Sequence, residues 1–196
     1  MSERAHPEDP GFKDRWFGLV KNPYKKHLFE RYKFCVPYVK NKIVLDVPCG
    51  TGWGTVMLSS AKKVYGLDIS MEAVEYANKH FKKKNIIYYV GTMIDLGFDD
   101  CFFDIITCLE GYEHINKKNQ ILFLKEAIRV LNKDGLLIMT CPVTVNGVNS
   151  GNPYHLHEPS EEELVEILSK HFSIEILNKI KGPDSPIYYF VGRKKC

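Results

Sequence analysis

Ile43-Val44-Leu45-Asp46-Val47-Pro48-Cys49-Gly50-Thr51-Gly52-Trp53-Gly54 is the stretch on which the fold turns. A short apolar, β-branched run followed by closely spaced glycines predicts a buried strand, a turn and then a helix, here through about Ala61. The downstream segments repeat that order. Strands are predicted over 64–68, 86–90, 103–109 and 135–140, with Ser70 capping a helix over about 71–81. Ile121, Leu124, Ile128 and Leu131 recur at helical spacing. Ser160-Glu161-Glu162-Glu163 opens a further helix with a capping box, ahead of Leu164, Ile167 and Leu168. Two more strands, over 172–180 and 186–192, close the chain. Alternating strands and helices imply an α/β fold with parallel strands and helices on both faces. The Gly182-Pro183-Asp184-Ser185 link between the last two strands is too short for a parallel crossover, so that pair is antiparallel and the sheet is mixed. Upstream, residues 1 to about 22 are charged and broken by Pro7, Pro10, Gly11 and Pro23, a loose arm or cap. Residues 24–37 carry Leu28, Tyr32 and Cys35 at helical spacing, with Pro37 limiting the end.

The 196 residues suit one domain, and 44% hydrophobic with 26% charged residues excludes disordered and collagen-like chains. Lys plus Arg number 27 against 24 Asp plus Glu, and the net charge of +3 is too small to point to nucleic acid. Lys82-Lys83-Lys84 reads as a solvated helix end favoured by the dipole. No apolar run approaches the roughly 18 residues of a membrane span, and the opening residues have no secretory pattern. Six cysteines occur without any CxxC pair, which argues against a finger-type zinc site. Cys49, Cys101, Cys108 and Cys141 sit in or beside apolar runs, as small core residues do, and free thiols imply a reducing cytoplasm.

In a doubly wound sheet, ligands bind beyond the carboxyl ends of the strands. The glycines after Asp46 let a ligand approach the backbone, and Asp68, ending the second strand, is placed to accept both hydroxyls of a ribose. The pair predicts a nucleoside-bearing ligand. A dinucleotide site wants GxGxxG with a clear helix N-terminus; here the pattern is GxGxG, with the bulky Trp53 inside it.

The run 46–54, Gly66-Leu67-Asp68-Ile69-Ser70, Phe103-Asp104-Ile105-Ile106, Glu110-Gly111-Tyr112-Glu113-His114-Ile115 and Leu131-Asn132-Lys133-Asp134-Gly135-Leu136 resemble, in order and spacing, the motifs of class I S-adenosylmethionine-dependent methyltransferases, the small type 11 kind. The resemblance covers about residues 24 to 192. It implies a Rossmann-like seven-stranded mixed sheet of order 3-2-1-4-5-7-6 with strand 7 antiparallel. An arm and helical cap over 1–40 would precede a methyltransferase domain over 41–196, with S-adenosylmethionine as cofactor. By the same resemblance Asp46, Gly50 and Gly52 hold the methionine part, Asp68 binds the ribose, Ile69 lies against the adenine, and Leu109 and Glu110 line the methionine and sulfonium side. Two positions depart from the family pattern. Pro48 replaces the first motif glycine, fixing φ and removing a donor. Thr92 stands where an acidic residue often meets the adenine amine; its hydroxyl can still accept a hydrogen bond, with the Met93 backbone serving the ring.

Methyl transfer to a hydroxyl needs alignment, exclusion of water and removal of a proton. Glu110, Glu113 and His114 form an ExxEH pattern that a helical turn would place on one face. Three readings stand: structural residues beneath the site; His114 as general base or acceptor-orienting group, with Glu110 and Glu113 beside it; or a divalent metal site of Glu110, Glu113 and His114 completed by His155 or His157. The leading reading has no metal, although ExxEH resembles the metal-binding motif of ubiquinone-pathway and small-RNA 3′-end O-methyltransferases. In Asn152-Pro153-Tyr154-His155-Leu156-His157-Glu158 an extended backbone would point His155 and His157 the same way. This loop and His27-Leu28-Phe29-Glu30-Arg31-Tyr32 resemble segments of methyltransferases encoded with polysaccharide or sugar-nucleotide genes. Arg31, Tyr32, Tyr154, His155 and His157 are therefore the candidate acceptor-binding residues. The expectation is a cytoplasmic O-methyltransferase acting on a small-molecule acceptor, a sugar or nucleotide-sugar hydroxyl in carbohydrate biosynthesis, with no membrane or nucleic-acid partner. The alternatives are a metal-dependent O-methyltransferase of a quinol precursor or RNA 3′ end, an inactive cofactor-binding subunit that activates a partner, and a nucleotide-dependent oxidoreductase. Oligomeric state and the methylated element, oxygen, nitrogen or carbon, stay open.

Overall fold

The computed structural model describes residues 23–182 and 185–195. The arm over 1–22 lies outside the described residues. The chain runs α1 (Pro23–Val39), β1 (Ile43–Asp46), β2 (Lys63–Asp68), α2 (Met71–His80), β3 (Ile86–Val90), β4 (Phe103–Leu109), α3 (Lys117–Val130), β5 (Leu131–Pro142), α4 (Glu161–His171), β6 (Phe172–Lys181) and β7 (Pro186–Lys194). The strands form one sheet of order β3-β2-β1-β4-β5-β7-β6. The first five in that order pair parallel, and β7 is antiparallel to both β5 and β6. This is the topology expected from the sequence. Among the described residues, no helix is long and apolar enough to cross a membrane.

The central strands are apolar on both faces because each face is covered by helices. Val44, Ile105 and Ile138 pack with Cys35 and Val39 of α1 and Val74 and Ala77 of α2. Their neighbours Leu45, Ile106 and Met139 pack on the other face with Phe123 and Leu124 of α3 and Leu164 and Leu168 of α4. One-residue alternation along each strand thus feeds two cores. Ser70 and Ser160 cap as expected, accepting the N–H of Ala73 (3.3 Å) and Glu163 (3.1 Å) respectively.

Several local expectations are corrected. The segment after Gly54 is a 3-10 turn over Thr55–Leu58 rather than a helix to Ala61. Its bonds span three residues (Met57 N–H to the Gly54 carbonyl, 2.9 Å; Ala61 N–H to that of Leu58, 3.0 Å). The preceding glycines and the β-branched pair Thr55-Val56 favour helix weakly, and the Thr55 hydroxyl is spent on Asp46. Helix α1 passes through Pro37 and ends two residues later, at Val39. Strand β5 starts at Leu131, earlier than expected, with an irregularity in its register against β4 that takes up the residues before Leu136. Cys101 is exposed at φ 54 in a turn rather than in the core. Cys35, Cys49, Cys108 and Cys141 are buried, with free thiols.

Candidate active site

A cavity of about 580 Å³ opens at the carboxyl ends of β1, β2 and β4, with α1 and the 142–156 loop on its far side. Its position follows from topology: strand order reverses between β1 and β4, so the connections leave on opposite faces and part there.

At the end of the cavity beside β2, Asp68 holds the glycine loop and the next helix together. Its Oδ2 accepts the Gly50 N–H (2.8 Å) and its Oδ1 the Ser70 N–H (2.9 Å). A carboxylate has acceptor sites enough for these two donors and for two ribose hydroxyls as well. Leu67, Ile69, Gly91, Thr92 and Met93 continue this wall. Ile69 is 71% exposed, an apolar side chain placed where a flat ring would cover it. The Thr92 hydroxyl accepts the Ile94 N–H at 3.4 Å. Gly50, at φ 53, has open space where a Cβ would point.

Asp46 and Gly52 are placed differently. Neither is among the lining residues. A Cβ on Gly52 would stand 2.7 Å from that of Ala77, so this glycine serves the packing of the loop on α2 and β3. Asp46 lies beneath the loop, 1% exposed. It accepts the hydroxyls of Thr55 (2.6 Å), Thr107 (2.8 Å) and Tyr32 (3.2 Å). Burial pushes its carboxyl up to about 6 against the opposing pull of those hydroxyls.

Leu109 and Glu110 line the cavity as the sequence suggests, but Glu110 does not share a face with Glu113 and His114. It sits at φ 52, before the 3-10 turn Tyr112–His114, and pairs with Arg31 of α1 at 2.9 Å. Arg31 is 3% exposed, so α1 is pinned over the end of β4 by a buried ion pair. Tyr32 lines the cavity while its hydroxyl is committed to Asp46, and its ring meets Trp53 edge-on at 5.3 Å.

Glu113, His114 and His155 converge on another wall of the cavity, each offering a ligand or proton-accepting atom, all within 4.8 Å of one another. The His114 Nδ1 lies 3.1 Å from the Tyr154 carbonyl. A carbonyl only accepts, so Nδ1 carries hydrogen and Nε2 is the basic nitrogen. The two imidazoles meet edge to face at 5.0 Å. His157, expected beside His155, turns away. The loop is bent rather than extended, with the Leu156 and His157 N–H groups both on the Glu113 carbonyl. The His157 Nδ1 lies 2.8 Å from Gln120 Oε1 and its Nε2 3.6 Å from Glu163. His157 is not among the lining residues, whereas Tyr154 and His155 are.

Sequence reasoning missed two supports. Gln120 is buried and donates to the carbonyls of Tyr112 (2.8 Å) and His157 (2.9 Å), tying the turn to the loop. Its signal was a polar residue on the apolar face that carries Phe123, Leu124 and Ala127. Glu158 is buried behind His155, at 2.5 Å from its Nδ1. A carboxylate three residues after a cavity histidine was its only sequence mark.

The strand order, and a buried carboxylate beside a glycine loop at the ends of β1 and β2, are features that class I S-adenosylmethionine-dependent methyltransferases share, and the comparisons agree. Residues 44–135, just under half of the chain, match the family model described as a methyltransferase domain. Demethylmenaquinone methyltransferase of Lactococcus lactis subsp. lactis is 37% identical over 102 residues, covering 48% of this chain and 40% of that protein. Ubiquinone biosynthesis O-methyltransferase of Glaesserella parasuis is 33% identical over 107 residues, covering 50% and 44%. The PH0226 protein of Pyrococcus horikoshii shares the fold, with a TM-score of 0.74 and 20% identity over 94% of this chain and 100% of that one. The chain spans about half the length, or less, of the curated relatives it matches. The cofactor the family implies is S-adenosylmethionine, and the exposed Ile69 and the cavity-lining Asp68 fit it.

Proposed function

We propose that this chain transfers a methyl group from S-adenosylmethionine to a hydroxyl of a small acceptor. The observation that carries the reading is the convergence of Glu113, His114 and His155 on one wall of the cavity that Asp68 and the glycine loop begin. Asp68 takes the ribose hydroxyls, Ile69 and Met93 flank the adenine, Thr92 offers its hydroxyl at the ring edge, and Gly50, Leu109 and Glu110 border the methionine end. When bound, S-adenosylmethionine supplies an electrophilic methyl group on a positively charged sulfur. The chain's own contribution to the displacement is alignment and proton removal. His114, with Nδ1 on the Tyr154 carbonyl, presents Nε2 as the base for the acceptor hydroxyl, a role worth about 10²- to 10⁴-fold. The buried Glu113 carboxyl lies beside the ring.

The acceptor is a small hydroxyl compound. The 152–158 loop and the Arg31-Tyr32 segment support a sugar or nucleotide sugar. The name of the ubiquinone biosynthesis O-methyltransferase relative supports a hydroxyl of a quinone precursor beside it. A second reading is favoured by the spacing within the cluster: two imidazoles and one carboxylate are a donor set for a divalent cation, which would lower the pKa of a bound hydroxyl. Glu110, spent on Arg31, is outside that set.

The test is transfer of label from S-adenosylmethionine to nucleotide sugars, sugar phosphates, quinol precursors and short RNAs, with and without a chelator. Label on a hydroxyl that survives chelation, and is lost by 10²-fold or more in His114→Ala, is the expected result. Transfer abolished by the chelator replaces the base reading with the cation reading. Bound cofactor with no transfer to any acceptor overturns both and favours a subunit that activates a partner.

A further inference from the structure

We infer that Glu158, clasped by Ser150, is a positioning residue that fixes the tautomer of His155, making Nε2 the proton-accepting nitrogen of that ring at the acceptor end of the cavity. The inference rests on the proposed hydroxyl methylation for its purpose, but not for its geometry. Glu158 lies in the loop between β5 and α4, two residues before the cap of α4, and its side chain has no solvent exposure. Its Oε2 accepts the Ser150 N–H at 2.8 Å. Its Oε1 accepts the Ser150 hydroxyl in a short hydrogen bond and lies 2.5 Å from His155 Nδ1. Both carboxyl oxygens thus accept hydrogens from Ser150, and the hydrogen of the remaining contact belongs to His155 Nδ1. An imidazole with Nδ1–H has its lone pair on Nε2.

The arrangement does more than close a loop. Ser150 and His155 line the cavity, while Glu158 does not. The carboxylate sits behind the ring and addresses it on the nitrogen away from its task, as outer partners of working histidines do. The side chains that gather with His155 are Glu113 and His114. His114 is fixed in the same sense by a neutral carbonyl, so two independent acceptors impose one tautomer on two facing rings. With Nδ1–H fixed, His155 offers Nε2 as a hydrogen-bond acceptor beside His114, which stays the base for the acceptor hydroxyl.

The experiment uses the full chain labelled with ¹⁵N at histidine. Long-range nitrogen–carbon-proton correlation at a pH where the rings are neutral reads the tautomer of each ring directly. In the wild type His155 is expected as Nδ1–H with a bare Nε2. In Glu158→Ala the His155 signals move to the Nε2–H pattern, while those of His114 stay. Transfer in that variant falls about 10- to 100-fold in kcat, with the KM for S-adenosylmethionine within twofold. A wild-type His155 found as Nε2–H overturns the inference, and so does an unchanged tautomer in Glu158→Ala. If the variant does not fold, the wild-type spectrum decides alone. A bare Nε2 with no methyl transfer to any acceptor sinks the proposed function and upholds the tautomer assignment. Transfer alongside Nε2–H does the reverse.

Discussion

Asp46 and Asp68 both end strands, and both are almost sealed from solvent, yet the fold uses them in opposite ways. Asp68 faces the cavity with two backbone N–H donors on its oxygens. Asp46 faces inward to three hydroxyls, which compensate its burial only in part, so its carboxyl rises to about 6. A carboxyl raised on folding contributes stability fully below its unfolded value near 4 and loses it as pH climbs through about 6. Asp46→Asn cannot ionise. Its stability relative to the wild type is expected to improve by on the order of 3 kcal/mol between pH 4 and pH 8, read by urea unfolding of both proteins across that range. A difference that stays flat with pH would show that the carboxyl is not raised. The sequence identified both aspartates but could not tell cavity from interior, because the three hydroxyls on Asp46 come from Tyr32, Thr55 and Thr107, far apart in the chain.

Elements were legible where one periodicity ran unbroken. The apolar runs over β1, β2, β3 and β4 have the residues the sequence suggested, and the Ser70 and Ser160 caps start their helices at the expected places. Reading failed where side chains compete with the backbone. The turn after Gly54 loses its helix to the Asp46 contact, and the 152–158 loop is bent by bonds to Glu113 and Gln120, which lie in two other elements, and by its own Glu158 turning back to Ser150. The junction of β4 with its following turn rests on one close approach. A Cβ on Gly111 would run into the Pro48 ring, so the residue that departs from the family's glycine pattern is matched by a glycine across the cavity floor. Gly111→Ala is expected to cost about 1–3 kcal/mol in urea unfolding and to weaken cofactor binding, because the glycine loop must shift to make room. Wild-type stability and affinity in that variant would mean that the two segments move independently.

For the whole molecule, topology was the most legible property, since alternating elements and one short final connection leave few ways to order a sheet. The least legible was which polar residues meet above it. Arg31 meets a glutamate far along the chain, Glu110, and His157 leaves the site for Gln120, facts set by how α1, α3 and the 142–156 loop pack rather than by any local pattern. The central claim, that this cavity is the S-adenosylmethionine site and Asp68 its ribose anchor, is tested most directly by calorimetric titration of S-adenosylmethionine into the wild type and into Asp68→Ala. Two hydrogen bonds to a charged acceptor predict saturable one-site binding in the wild type and at least a 100-fold weaker Kd in the variant, about 3 kcal/mol, with its circular dichroism unchanged. Equal affinity in a folded Asp68→Ala protein would contradict the account.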